Sequence, residues 1–161
     1  MKEPSRELTD PRDLLVGYLD YFRAAILEKL DGLPDPDVSR VPTGWSPVEL
    51  LNHLAYVERR WFAWDFAGEP VDHPYGDRGP GGRWSVVKPF GEVRSFYLAQ
   101  CERSREIVAG AELSDVATTI GRFPKRPPAL SWILFHVLQE YARHAGHLDI
   151  VRELADGVTG E

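Results

Sequence analysis

Leu14, Leu15, Tyr18, Leu19, Phe22, Ile26 and Leu30 recur at intervals of three and four residues, the pattern of a helix with one apolar face. Asp10 followed by Pro11 offers an N-cap and a proline at the first helical position, so a first helix is predicted over about 11–31. The cluster Asp31-Gly32-Leu33-Pro34 ends it and leads into a polar loop through Pro36, Ser39 and Pro42. A second helix is predicted over about 47–67. Ser46, Pro47 and Glu49 make a capping box with proline in the first turn, the apolar face carries Leu50, Leu51, Leu54, Val57, Trp61, Phe62 and Trp64, and Gly68 closes it.

Residues 68–88 sustain neither a helical nor a strand period. A connection of roughly 20 residues is long for a compact domain and suggests a lid, a binding loop or a crossover. A crossover would let the second and third helices run parallel. The third helix begins near Pro89-Phe90, buries Val93, Phe96, Tyr97, Cys101, Ile107 and Val108, and ends at Gly110, with Glu102, Arg103, Arg105 and Glu106 on a solvated side. A polar segment follows, in which Val116–Ile120 is a weak strand candidate, and a last helix runs from about Leu130 to Ala155 with Gly157 as its cap. Four amphipathic helices without a convincing strand set predict an all-α four-helix bundle with one long crossover, a single domain over residues 1–161.

Composition narrows the class. The 161 residues are 43% hydrophobic, enough for one sizeable core, and 19 Lys+Arg against 25 Asp+Glu leave a net charge of −6. The charges are scattered, which gives no footprint for nucleic acid. Cys101, the one cysteine, cannot make an internal disulfide, and it reads as a small core residue. No apolar run approaches the roughly 18 residues of a membrane span. The stretch Met1–Glu7 lacks the apolar region of a secretory signal, so a cytoplasmic location is expected.

The candidate chemistry lies on the last helix. At about 100° per residue, Leu134, Val137, Leu138, Tyr141, Ala145 and Leu148 form a core stripe, and His136, Glu140, His144 and His147 form a second stripe at its edge. Glu140 and His144, four apart, can point at one ion; His144 with His147 is the competing pair. A third ligand must come from another helix, and His53, at the edge of the second helix's apolar face, is the obvious donor. Two imidazoles and a carboxylate suit zinc, nickel or iron(II) and leave positions open, as catalytic sites do. The same i, i+4 spacing also arises as a plain helix-stabilising pair. A ferritin-like di-iron site is disfavoured, because it needs two Glu-x-x-His pairs and the chain has none; neither a Gly-x-Ser-x-Gly elbow nor a phosphate loop occurs.

Glu58 sits among Leu51, Leu54, Ala55, Trp61 and Phe62, either as a buried carboxylate needing an arginine or at a helix edge. Arg60 and Arg143 could present positive charge to an acidic substrate or thiol, although surface arginines are common. Trp64, with Trp61, Phe66 and Trp84, could wall a pocket under the long loop, core packing being the plainer use of the first two.

Gly44-Trp45-Ser46-Pro47, Leu50-Leu51-Asn52-His53-Leu54, Glu58-Arg59-Arg60-Trp61 and Glu140-Tyr141-Ala142-Arg143-His144-Ala145-Gly146-His147 together resemble the DinB-like superfamily over nearly the whole chain. The branch is similar to actinobacterial members related to mycothiol-dependent maleylpyruvate isomerase and to bacillithiol and mycothiol S-transferases. The resemblance implies an up-down-down-up helix order and one divalent metal, often zinc or nickel, held by His53, Glu140 and His144. Many relatives carry histidine at the position of Glu140, but the isomerase branch is similar in using glutamate there. His147 stands where many have glutamine, so it is expected in the pocket or behind the ligands, with displacement of Glu140 as the alternative. The function implied is activation of a low-molecular-weight, mycothiol-like thiol for S-transfer to, or isomerisation of, an electrophilic small molecule. The resemblance also implies a homodimer. The contrasting expectation is a non-catalytic bundle that binds a metal or small ligand.

Overall fold

The computed structural model describes residues 2–160. Helix α1 spans Pro11–Asp31, α2 spans Pro47–Glu58 and continues as a π-helix over Arg59–Phe66, α3 spans Phe90–Ala109 and α4 spans Leu130–Asp156. The starts of α1 and α2 follow local chemistry. Asp10 accepts from the Arg12 and Asp13 amides, and the Ser46–Glu49 capping box is closed in both directions. At the other end of α4, Gly157 adopts the left-handed conformation that a helix C-cap favours, with φ 74°.

Two expectations are corrected. The second helix does not remain α-helical to residue 67: from Arg59 the turns widen, and the amide of Ala67 reaches the carbonyl of Phe62 at 2.9 Å. The strand candidate at 116–120 forms only an isolated bridge between Val116 and Ala129, because Ala117 and its neighbours cross over the end of the bundle without a second strand to extend the pairing.

The side chains that join the helices fix how they run. Arg12 of α1 donates to the carbonyls of Val108 and Ala111, Arg105 reaches Asp20, and Arg94 reaches Asp31, so α1 and α3 are antiparallel. Tyr56 packs on Phe96 and Glu69 pairs with Arg103, which sets α2 parallel to α3. His53 faces His144, Glu58 meets Tyr141 and Trp61 meets His136, so α2 and α4 are antiparallel. One apolar core runs between them, with Ile26, Leu50, Leu51, Leu54, Phe62, Val93, Tyr97, Ile133, Val137, Tyr141 and Leu148 fully or almost fully buried. Among the described residues no helix is long and apolar enough to cross a membrane.

A polar network is enclosed in this core. Glu58, wholly buried, accepts 2.8 and 2.7 Å hydrogen bonds from the Arg23 guanidinium and a 2.7 Å bond from the Tyr141 hydroxyl. Glu58 is therefore a structural anchor joining α1, α2 and α4, and it lines no pocket that holds the histidines. Cys101 lies beside it, and burial pushes its thiol up to about 12.

Candidate metal centre

The crossover is tied down where it passes the ligands of interest. Ser85 donates its amide to the Asp77 carbonyl at 3.0 Å, Gly79 donates to Arg83 at 2.8 Å, and Arg78 bridges to Trp84, so residues 77–85 form a tight reversal. Asn52 of α2 donates to the Ser85 carbonyl and pins this reversal on the bundle. Gly76 lies so close to the Tyr56 ring that a Cβ there would collide with it. The result places Asp77 and Trp84 on either flank of His53.

Asp77 is fully buried and accepts two hydrogen bonds from Arg60, at 2.6 and 3.1 Å, while its Oδ2 lies 2.8 Å from His53 Nδ1. Burial alone would raise this carboxyl, but His53 and Arg60 outweigh it and bring it down to about 2. An ionised carboxylate can only accept, so His53 Nδ1 carries a proton, and Nε2 is the nitrogen that the neutral ring offers to a ligand. The Trp84 ring stacks on His53 at 4.6 Å and meets His144 edge-on at 5.3 Å.

His53 Nε2 faces α4, where Glu140 Oε2 stands 4.0 Å away. The same Oε2 lies 3.2 Å from His144 Nε2. That pair lacks the alignment of a hydrogen bond, and His144 Nε2 is a buried nitrogen with no hydrogen-bond partner. The other nitrogen of His144 is 3.2 Å from His147 Nδ1. One ligand atom from each of His53, Glu140 and His144 falls within a 4.8 Å cluster. Bonds of about 2.1 Å at a tetrahedral angle place ligand atoms about 3.4 Å apart, close to these spacings. An unpartnered, buried imidazole nitrogen is costly unless something binds it, so the donor set fits a divalent cation and leaves room for further ligands.

The electrostatics agree. Glu140 is held well below the usual carboxylate range by His144 and His53, with Arg143 assisting through a 2.7 Å bond, and burial lowers His144 so that it favours the neutral, ligating form. Arg143 itself is exposed and braces Glu140 from outside. His147 stands behind His144 and 6.0 Å from the Trp45 ring. His136 is stacked on Trp132 and lowered by burial.

The cluster opens into a cleft of about 370 Å³ lined by His53, Arg60, Trp61, Arg78, Arg122 and Glu140 among others. Trp64 is outside it, turned toward Tyr75 at the rim. A second cleft, about 510 Å³, is lined by Trp84, Trp45, Glu49, Arg83 and the shared Arg78. Sequence reasoning placed His53, Glu140 and His144 together but missed Asp77, whose loop carries no periodic pattern to mark it.

An all-α bundle with two histidines and a glutamate converging between antiparallel helices defines a helical protein with a candidate metal centre. The mycothiol-S-transferase family model matches residues 14–157, and the chain belongs to that family, within the DinB-like superfamily. No curated protein matches the chain.

Proposed function

We propose that this chain is a divalent-metal-dependent thiol S-transferase that joins a low-molecular-weight thiol of the mycothiol type to an electrophilic small molecule. The observation that carries the reading is His144 Nε2, buried and unpartnered beside Glu140 and His53 in a chain of the mycothiol-S-transferase family. His53, Glu140 and His144 would hold the ion, a donor set that suits zinc, nickel or iron(II). Bound there, the dication would lower the pKa of a thiol at an open position, so that the nucleophilic thiolate prevails at neutral pH.

The protein's own groups supply position. Asp77 fixes the His53 ring and its tautomer, Arg60 holds Asp77, and Trp84 covers the imidazoles against water. The two clefts, which share Arg78 and Gly82, suit a reaction with two substrates: the larger takes the thiol, and the smaller, on which Glu140 opens, takes the electrophile. The thiolate sulfur forms a bond to the electrophilic carbon as the leaving group departs with its electron pair.

Elemental analysis of untagged protein, wild type and His144→Ala, tests the centre: about one zinc, nickel or iron per chain is expected, lost in the variant. Turnover of an electrophile with added thiol tests the chemistry. Metal binding without turnover would replace this reading by a non-catalytic metal-binding bundle.

A further inference from the structure

We infer that the electrophile accepted by this site carries an anionic group, a carboxylate in the simplest case, held by Arg122 and Arg78 across the smaller cleft from the ligand cluster. This rests on the S-transferase reading of the site and adds the substrate class to it.

Three arginines line that cleft, Arg60, Arg78 and Arg122. Arg60 is consumed by Asp77 and by the Pro74 carbonyl, to which it donates at 3.0 Å. The other two are only part-used. Arg122 donates from Nε to Asp65 at 2.8 Å and also from Nη2, and its Nη1 makes no hydrogen bond among the described residues. Arg78 donates from Nη1 to the Gly82 carbonyl at 3.0 Å, its Nε is 3.6 Å from Asp77, and its Nη2 likewise has no acceptor.

Arg122 is unusually fixed for a loop arginine. Its guanidinium lies over the Trp61 ring at 4.0 Å and near Phe123 at 5.3 Å, and its own amide donates to Asp65 at 2.8 Å. The preceding Gly121 allows this approach, since a Cβ there would stand 2.7 Å from Asp65 Cα. Asp65, 1% exposed on the π-helical segment, is thus an anchor that positions the arginine. A guanidinium held rigid before binding loses little freedom when a carboxylate arrives.

The remaining charges favour an anion. Glu140 is the single carboxylate lining the cleft, and Arg143 already pairs with it; Asp65 and Asp77 are buried behind their arginines. Trp61 and Tyr75 add apolar wall for the body of the molecule. Arg78 borders both clefts whereas Arg122 borders only the smaller, which assigns the anionic group to the electrophile rather than to the thiol.

The test is calorimetric titration of the zinc-loaded, full-length protein with benzoate and with benzamide, a pair of equal shape that differs in charge. Benzoate should bind about tenfold more tightly than benzamide. That preference should shrink about fivefold or more in Arg122→Gln and in Arg78→Gln. Equal affinity for the two probes would overturn the inference, and so would a preference for benzoate unchanged in Arg78→Gln and in folded Arg122→Gln, which would send the carboxylate to the metal centre alone. Arg122→Gln leaves Asp65 buried without its cation, so circular dichroism accompanies it, and the exposed Arg78 decides the matter if that variant does not fold. Turnover of 4-chloro-3,5-dinitrobenzoate, an activated aryl chloride that carries the carboxylate, with mycothiol separates the two levels. Turnover without benzoate preference defeats the anion site alone, whereas arginine-dependent preference without turnover defeats the S-transferase reading and leaves the anion site standing.

Discussion

Asp77 Oδ2 accepts a 2.8 Å hydrogen bond from His53 Nδ1 while Arg60 grips both oxygens of the same carboxylate. A loop residue thereby dictates which nitrogen of a helix residue is free, 24 positions earlier in the chain. Without that bond the His53 ring could rotate or exchange tautomers, and the lone pair facing Glu140 would be lost for part of the time.

Asp77→Asn should therefore weaken metal binding about 10- to 100-fold without abolishing it, as loss of such supporting carboxylates commonly does. Competition with a chromophoric chelator measures this. An affinity equal to wild type would show that His53 is oriented by something else.

Trp84 stacks on His53 and meets His144 at its edge, so a paramagnetic ion held by these two histidines would quench this indole. Titration with nickel should quench part of the tryptophan fluorescence, and Trp84→Phe should remove most of the change although four other tryptophans remain. Full quenching retained in Trp84→Phe would place the ion elsewhere.

Glu58→Gln should cost about 3 kcal/mol of unfolding free energy in urea, because it leaves the buried Arg23 guanidinium without its counter-charge. Metal content should be unaffected, since the network lies in the core and shares no hydrogen bond with the three candidate ligands. A variant as stable as wild type would mean that the pair is dispensable in the core.

Burial, with Glu58 nearby, raises the Cys101 thiol to about 12. The thiol should resist alkylation by iodoacetamide up to about pH 9.5 in the folded protein and react promptly once urea unfolds it, a contrast read by intact mass. The sign of the linkage follows: this thiol favours the folded state below its unfolded value of about 8.5, and the contribution is lost as pH rises from there toward 12. Rapid labelling at pH 8 without denaturant would contradict the burial.

The helices were legible in the chain itself because their signals are local. A capping box at Ser46–Glu49, proline in the first turn, glycine after the last turn and apolar residues every three or four positions act within a few residues of one another. The same periodicity put Glu140 and His144 on one face and His53 at the inner edge of α2, since 3.6 residues per turn makes i and i+4 neighbours whatever the bundle does.

What the tertiary structure alone decided depends on chain segments that no period relates. Glu58 could have been solvated; the arrival of Arg23 from α1 and Tyr141 from α4 made it an enclosed ion pair. The widening of α2 at Arg59 emerged only in the folded bundle. Asp77 and Trp84 reached His53 because a loop without regular pattern folds back over α2, and Arg122 reached the cleft because Gly121 lets a connection pass against Asp65. The helix face carries the ligands, a property of short-range spacing. Their orientation, cover and neighbouring charge come from long-range contacts, which the one-dimensional pattern does not encode.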